Sequence, residues 1–425
     1  MNLDLTKFKK IFFIGIGGIG ISALAKMAIS RGIEVSGVND EESPKTLNSL
    51  RGEGAEILFQ HDFKISHDSF QVADMYVYSD AWLHRGPEII ENAKKTGKPV
   101  LNYFGALGEF AKDYKVIAIA GTHGKTTTTA MVAEILIEAE LDPTVIVGSF
   151  IKKLNSNFRK GNSKYLVVEA DEYNRHFLSL YPYLSLILNI EADHLDYYKD
   201  LRDVQDAFSK FLSQSENKIV DYQKYLEKVP KLLVPGIHNR LDAAAALAVA
   251  DFLQTKEEVA QKSLSEFTGT WRRLEKRGET KEGTIIYDDY AHHPTEIIAS
   301  LQGLRELYLK GDLPAQAGKN ITVLFQPHLY SRTKALFNDF TKCFKGADQI
   351  FLLPIYFARE DKDESISSEK LAEAIAQTGE KVRAFSSFEE AEIVTKSLNL
   401  GPDDVFITMG AGEAYKVADK VFNIS

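Results

Sequence analysis

The residues best suited to chemistry lie in one short stretch, Gly121-Thr122-His123-Gly124-Lys125-Thr126-Thr127. Gly121 and Gly124 leave backbone N–H groups at a helix start free to approach an anion. Lys125 would place a positive charge on the β- and γ-phosphates of a nucleotide, and the Thr126 hydroxyl could bind a Mg²⁺ ion that bridges them. The general phosphate loop has four residues between its glycines, whereas this one has two. The alternative is an ordinary glycine turn that precedes a lysine.

Two further apolar runs end in clustered acids. The first is Lys164–Glu172 and the second is Leu184–His194. In open α/β sheets, ligands bind beyond the carboxyl ends of the strands, so acids at those ends belong next to a Mg-nucleotide. Glu169 is the first candidate for a Mg²⁺ ligand and His194 the second, and a solvated acidic loop is the alternative for each.

A second glycine-rich loop lies near the N-terminus. The strand-like run Lys10–Gly15 leads into Gly15-Ile16-Gly17-Gly18-Ile19-Gly20, a pattern that lets a diphosphate approach a helix start closely. Asn39-Asp40 follows the next strand, where a dinucleotide enzyme would hold a ribose. An NAD-dependent enzyme is therefore a competing hypothesis, but nothing downstream resembles a hydride-transfer site. The candidate ligand-binding glycines are Gly15, Gly17, Gly18 and Gly20.

The C-terminal part carries a third set of polar residues. The strand-like run Thr284–Asp289 leads into Tyr290-Ala291-His292-His293-Pro294, and the run Asn320–Pro327 leads into His328-Leu329-Tyr330-Ser331-Arg332. Neighbouring histidines rarely bind one metal ion together, so substrate contact or Asp–His hydrogen bonding is expected for His292 and His293. Gly410-Ala411-Gly412 ends the last strand as another loop suited to close backbone approach.

These residues need a scaffold of alternating strands and helices, which predicts an α/β protein. The predicted domains are residues 1–113, Rossmann-like; 114–268, a central phosphate-loop ATPase domain; and 269–425, again Rossmann-like. A helix is predicted at 128–140, after the phosphate loop, and an alanine-rich one at Leu241–Leu253. Asn239 just before the latter either caps it or contacts a nucleotide.

Composition excludes several classes of protein. The 425 residues are 44% hydrophobic and 26% charged, as in ordinary globular proteins. A formal net charge of −9 argues against a nucleic-acid partner. The single cysteine, Cys343, suits a reducing compartment. Without a signal-peptide pattern or a run of about 18 apolar residues, a cytoplasmic protein with no membrane contact is expected.

Taken together, the motifs resemble those of the Mur ligases, the ATP-dependent amide-forming enzymes of peptidoglycan precursor synthesis. The resemblance runs nearly end to end, and the order and spacing of the motifs make it specific. The segments that carry it are Gly15–Gly20, Ser43–Thr46, Gly121–Thr127, Glu169–Glu172, Asn189–His194, His238-Asn239, Arg272-Arg273, Asp288–Tyr290, His292–Glu296, Phe325–His328 and Gly410–Gly412.

The resemblance implies a reaction and a cofactor. ATP would phosphorylate the carboxylate of UDP-N-acetylmuramate, an amino acid would attack the acyl phosphate, and two Mg²⁺ ions would assist. Lys125 would bind the β- and γ-phosphates and the acyl phosphate. Thr126 and Glu169 would hold one Mg²⁺ ion and His194 the other.

The resemblance also assigns the remaining contacts. Asn239 would contact adenine, and the first glycine loop would hold the uridine diphosphate. Arg272 or Arg273, together with Asp288, would close the C-terminal domain over the nucleotide. The amino-acid end would be faced by Tyr290, His292, His328 and Arg332, and the implied catalytic set is Lys125, Glu169, His194, His292 and Arg332.

Several departures from the family pattern bear on the amino acid. Leu329 stands where an arginine is usual in the alanine-adding branch, and Ala291 replaces a glycine. Asp242 stands where a second asparagine would flank adenine, and the span His194–His238 is short, with about one element expected in it. Phe208 falls where other branches carry a carbamylated lysine. L-Alanine is the expected amino acid; the alternatives are a tripeptide-adding ligase of murein recycling and a non-catalytic nucleotide-binding protein.

Overall fold

The computed structural model describes residues 3–42, 44–195, 197–309, 319–357 and 360–424, so that Ser43 of the family motif lies outside the described residues. The chain forms two compact units. One comprises Met1–Ala192, Asp200–Pro230 and Asp242–Glu266, and the other comprises Asp193–Lys199, Lys231–Leu241 and Phe267–Ser425. The predicted α/β class is confirmed, because three sheets built mainly of parallel strands alternate with helices.

The first sheet has five parallel strands in the order β3-β2-β1-β4-β5. Its central strand, Lys10–Ile14, is buried because its run of β-branched and aromatic residues is covered on both faces. The strands are β1 Lys10–Ile14, β2 Glu34–Asn39, β3 Glu56–Phe59, β4 Met75–Tyr78 and β5 Val100–Asn102. The helices are α1 Ile19–Ser30, α2 Pro44–Gly52, α3 Asp68–Val72, α4 Trp82–Arg85, α5 Pro87–Lys95 and α6 Tyr103–Ala111.

The second sheet has six strands in the order β11-β10-β6-β9-β7-β8, antiparallel only between β7 and β8. The strands are β6 Lys115–Ala120, β7 Thr144–Ile151, β8 Ser156–Arg159, β9 Tyr165–Glu169, β10 Leu184–Ile187 and β11 Asn217–Ile219. The helices are α7 Lys125–Glu138, α8 Leu201–Ser213, α9 Ile237–Phe252 and α10 Glu257–Ser265. Because β6 lies between β9 and β10, the loop after β6 opens between the acids that follow its two neighbours.

The short span between His194 and His238 holds more than the one element expected. It contains α8, β11, which pairs in parallel with β10, and a 3-10 helix at Gln223–Lys228. Asp200 caps α8 by accepting from the backbone N–H groups of Arg202 and Asp203. Phe208 of α8 is fully buried with its ring edge-on to Phe177, so this position has a packing role.

The third sheet has the order β12-β13-β17-β14-β15-β16, antiparallel only between β12 and β13. Separate hydrophobic clusters pack on its two faces. The strands are β12 Glu275–Glu279, β13 Ile285–Asp289, β14 Asn320–Phe325, β15 Gln349–Leu352, β16 Val382–Ala384 and β17 Asp404–Met409. The helices are α11 Pro294–Leu309, α12 Tyr330–Ala335, α13 Phe337–Phe340, α14 Ser368–Ala376, α15 Phe388–Ser397 and α16 Ala414–Phe422. Within the described residues, no helix has both the length and the apolar character needed to cross a membrane.

Candidate active site

The loop after β6 has the backbone of a phosphate-binding turn. Gly121 and Gly124 have φ angles of +148° and +84°, a region that favours glycine. Gly124 is the N-cap of α7, so the helix begins at Lys125 rather than at the predicted Thr128. The earlier start matters because it directs the N–H groups of the first helical turn into the loop.

Asn189, which follows β10, holds this loop in place. Its Oδ1 accepts from the His123 backbone N–H at 2.8 Å, its Nδ2 donates to the His123 carbonyl at 3.0 Å, and its own carbonyl accepts from the Thr122 N–H at 3.1 Å. A Cβ atom at Gly121 would lie 2.9 Å from the Cβ of Leu188. The sequence contained Asn189 in a family motif but gave it no role; a polar residue directly after the neighbouring strand was the available signal.

The Lys125 side chain folds over the loop. Its Nζ donates to the carbonyls of Gly121 at 2.6 Å and Thr122 at 3.0 Å, and it lies 2.8 Å from Oε2 of Glu172. Burial opposes the charge on this amine, but the carboxylates of Glu172, Asp171 and Glu169 outweigh burial and raise the pKa of Lys125. The amine is therefore held protonated at the loop.

Thr126 and Glu169, which the resemblance assigns to one Mg²⁺ ion, are in direct contact. The Thr126 hydroxyl donates to Oε1 of Glu169 at 2.8 Å, and Oε2 of Glu169 accepts from the Gly148 N–H at 2.7 Å. Two oxygen donors this close, one of them a carboxylate, fit the preference of Mg²⁺. The third predicted metal ligand, His194, belongs to the other compact unit, where its N–H donates to Oδ1 of Asp193 at 2.7 Å.

The first glycine loop lies at the carboxyl end of β1. Gly15 has a φ of +82°, and the Gly17 N–H donates to Oδ1 of Asn39 at 3.0 Å. Gly18 is the N-cap of α1, and a Cβ at Gly20 would lie 2.9 Å from the Tyr103 ring. Asn39 thus braces the loop by a hydrogen bond, which is a different use from the ribose contact expected of a dinucleotide enzyme.

In the second unit, Arg272 is nearly fully buried. Its Nε donates to Oδ2 of Asp288 at 2.7 Å, and its terminal nitrogens donate to the carbonyls of Gly410 at 2.7 Å and Gly412 at 3.1 Å. Its guanidinium also lies 4.5 Å from the centre of the Tyr415 ring. Arg272 thus joins the segment before β12 to Asp288 of β13 and to the loop after β17.

The four residues predicted for the amino-acid end are brought together in the same unit. Nδ1 of His292 lies 2.9 Å from the Tyr290 carbonyl, and the rings of His292 and His328 are 5.8 Å apart. Nδ1 of His328 is 3.2 Å from Arg332, whose guanidinium pairs with Oδ1 of Asp193 at 3.1 Å.

Asp193 is a member of this cluster that the sequence did not single out. Burial would raise the pKa of Asp193, but the nearby His194, Arg332, His292 and His293 lower it well below its usual range. Burial lowers the pKa of His292 to about 4, against the opposing effect of Glu296. The cluster therefore contains an ionised carboxylate paired with Arg332 and a neutral imidazole.

Two further predicted residues have different surroundings. Arg273 lies with its guanidinium 5.0 Å from the centre of the Tyr290 ring. The capping role considered for Asn239 is wrong, because α9 begins at Ile237 and places Asn239 in its first turn. Its Nδ2 instead donates to the Pro235 carbonyl at 2.6 Å.

Known protein families match most of the chain. The family described as "Mur ligase family, catalytic domain" matches residues 10–115, "Mur ligase middle domain" matches 119–224, and "Mur ligase, glutamate ligase domain" matches 272–412. The UDP-N-acetylmuramate–L-alanine ligase of Clostridium perfringens is 37% identical over 471 aligned residues, covering 99% of each chain. The enzyme of that name from Acetivibrio thermocellus is 37% identical, covering 98% of this chain and 96% of the relative. The first alignment is longer than the 425 residues of this chain, so the relative has residues that this chain lacks.

Solved structures agree with these matches. The crystal structure of a UDP-N-acetylmuramate–alanine ligase from Thermotoga maritima is 28% identical, with a TM-score of 0.79, and covers 97% of this chain and 98% of its own. A murein peptide ligase from Psychrobacter arcticus is 21% identical with a TM-score of 0.69, which shows a shared fold.

Proposed function

The chain belongs to the Mur ligase family, and we propose that it joins L-alanine to UDP-N-acetylmuramate in an ATP-dependent, ADP-forming reaction of peptidoglycan precursor synthesis. The observation that carries the proposal is the phosphate loop with its protonated Lys125 beside Glu172, in a chain 37% identical over its whole length to ligases named for this activity.

Lys125 and the loop amides bind and orient the transferred phosphoryl group. Phosphoryl transfer between ATP and a carboxylate brings two anions together, so its barrier is lowered by fixed positive charge and by N–H groups that need no rearrangement. Lys125 supplies the positive charge. Gly121 and Gly124 have no side chains to keep the phosphates away from the backbone N–H groups. Asn189 fixes the direction of the N–H groups of Thr122 and His123. The product of this step is an acyl phosphate on the muramyl carboxylate.

Mg²⁺ is the expected cofactor. Thr126 and Glu169 would hold one ion and His194 a second, and bound Mg²⁺ would neutralise charge on the phosphates. The 2.8 Å contact between Thr126 and Glu169 supports the first of these assignments.

The amino group of L-alanine then attacks the carbonyl carbon of the acyl phosphate, which forms the amide bond and releases inorganic phosphate. In the second unit, Arg332, His328, His292 and Tyr290 offer a guanidinium and imidazoles for an amino acid. Nδ1 of His292 donates to the Tyr290 carbonyl, which leaves its Nε2 as an acceptor for a proton of the attacking amine. Asn239, Arg272, Arg273 and Asp288 are assigned to the nucleotide, and Gly15, Gly17, Gly18 and Gly20 to the uridine diphosphate.

We further propose the three-domain division 1–113, 114–268 and 269–425 for this chain. It is supported by α6 ending at Ala111, β6 starting at Lys115 and each part carrying its own sheet. A cytoplasmic location is proposed because ATP and a UDP-linked sugar are both substrates.

The test is phosphate release from ATP and Mg²⁺ with UDP-N-acetylmuramate against L-alanine, glycine, L-serine and the murein tripeptide. Release that depends on L-alanine is expected. Release only with the tripeptide would support the recycling ligase instead, and no release with any acceptor would support the non-catalytic alternative. The 37% sequence identity to ligases named for L-alanine favours L-alanine as the amino acid. Leu329 and Ala291 depart from the family pattern, so the other acceptors must be tested as well.

A further inference from the structure

His176, a residue with no role assigned above, lies in a buried cluster with two carboxylates. It is 6% exposed, and its Nε2 lies 2.8 Å from Oδ2 of Asp80. Its Nδ1 lies 3.8 Å from Oδ2 of Asp171. Its ring stacks on Phe104, with centroids 3.7 Å apart and planes 12° from parallel. A histidine enclosed by two carboxylates and one ring face is more than a space-filling core residue.

The charge of this histidine follows from its neighbours. Burial alone would lower the pKa of His176, but the hydrogen-bonding and charge effects of Asp171 and Asp80 outweigh burial and raise it. Each ring nitrogen thus has a carboxylate facing it, an arrangement that favours the charged form of the ring.

The two carboxylates come from different sheets. Asp80 follows β4 of the first sheet, where its Oδ1 also accepts from Asn102 at 3.3 Å. The glycine loop lies at the same edge, since a Cβ at Gly15 would lie 3.2 Å from Cβ of Ser79. Asp171 follows β9 of the second sheet, two residues after Glu169. His176 therefore connects the edge that carries the glycine loop to the edge that carries the phosphate loop.

The backbone just before His176 adopts left-handed conformations that position this residue between the two carboxylates. Asn174 and Arg175 have φ angles of +51° and +56°, and two consecutive non-glycine residues in this region are costly. The segment is then closed by the Phe177 N–H, which donates to the Asp171 carbonyl at 2.8 Å, and by the Arg175 N–H, which donates to the Glu172 carbonyl at 3.0 Å. The same segment thus carries Glu172, the partner of Lys125.

We propose that His176 is a positioning residue for the ligase reaction: by bridging Asp80 and Asp171 it fixes the segment that places Glu172 and Lys125 at the nucleotide phosphates. The role rests on the proposed function. His176 affects the rate through the positions of Lys125 and Glu172, because displacing a reacting group by about 1 Å lowers the rate on the order of a hundredfold.

The test compares His176→Phe, which keeps a ring against Phe104 but loses both ionic contacts, with the full-length wild type. The expected results are a fall in kcat of at least about tenfold, weaker binding of ADP with Mg²⁺ in calorimetry, and an unchanged KM for L-alanine. His176→Gln, which retains a donor toward Asp80, should recover part of the rate. His61→Gln is the matched control, since the His61 side chain is 69% exposed.

A purely structural role would lower the unfolding temperature and leave kcat and ADP affinity per folded molecule at wild-type values, and that result overturns the proposal. If His176→Phe does not fold, Asp80→Asn removes the facing charge and should show the same losses; wild-type behaviour of that variant also overturns it. An inactive wild type that binds ADP, with weaker binding in His176→Phe, contradicts the ligase function and supports the positioning role.

Discussion

The Lys125 amine lies 2.8 Å from a carboxylate oxygen of Glu172, and the two side chains are only 15% and 3% exposed. A lysine at a phosphate loop must stay protonated to be useful, and burial would work against that charge. Glu172, together with Asp171 and Glu169, reverses the effect of burial on the pKa of Lys125. The pair explains how a buried lysine can meet a polyphosphate as a cation.

Lys125→Ala is expected to abolish measurable turnover, a loss of at least about 10³-fold, because it removes the positive charge that faces the transferred phosphoryl group. Phosphate release at saturating substrates measures it, and circular dichroism checks the fold. Lys95→Ala, at an exposed lysine of α5, is the control. A near-normal rate in Lys125→Ala would show that the loop has been assigned the wrong role.

Asn189→Ala should raise the KM for ATP and lower kcat by roughly tenfold or more, because the N–H groups of Thr122 and His123 lose their fixed direction. The variant also leaves the His123 N–H and carbonyl without their side-chain partner, at a cost of about 1–3 kcal/mol. Steady-state kinetics and thermal unfolding measure the two effects, with the exposed Asn338→Ala as control. Unchanged ATP kinetics would mean that the loop keeps its shape without Asn189.

Arg332→Met should raise the KM for L-alanine at least about tenfold through the lost charge-assisted hydrogen bonds. It should also destabilise the protein by about 3–5 kcal/mol, because the buried Asp193 carboxylate loses its cation. Combining it with Asp193→Asn should restore stability without restoring the KM. If the double variant recovers both, Arg332 is a structural residue rather than an amino-acid ligand.

Glu134→Gln should stabilise the protein at pH 8. Burial raises the pKa of this carboxyl to about 7, with Lys153 opposing and Glu266 assisting, and Oε1 has no hydrogen-bond partner among the described residues. The folded state therefore binds the proton more tightly than the unfolded state does. This contribution to stability is complete below about pH 4 and declines as pH rises toward 7, by roughly 3 kcal/mol in total.

The amide cannot ionise, so the unfolding temperature of Glu134→Gln should exceed that of wild type at pH 8 and approach it at pH 5. Scanning calorimetry at both values measures the difference. Glu138→Gln, on the same helix but paired with Lys262 at 2.8 Å, should give no such gain at pH 8. If Glu134→Gln is no more stable than wild type at pH 8, the Glu134 carboxyl lies in a more polar environment than its burial indicates, and its pKa is not raised.

The sequence by itself determined the α/β class and the three glycine loops. Those features follow from local rules: apolar runs of strand length alternate with helical patterns, and a glycine-rich turn between the two accommodates backbone conformations that other residues avoid. The family resemblance added the substrates and the pairing of Thr126 with Glu169, because no local rule names a sugar nucleotide or an amino acid or says which distant residues share a metal ion.

Only the tertiary structure decided which distant residues support these loops and which ones meet in the cluster around Arg332. Asn189 reaches the phosphate loop because β10 lies beside β6, and Asp193 meets Arg332 across 139 positions of the chain. His176 meets Asp80 because two sheets belong to one compact unit. Sequence periodicity reports which face of an element is buried but not which elements are neighbours, and buried polar groups are satisfied by whatever partner the fold brings within hydrogen-bonding distance.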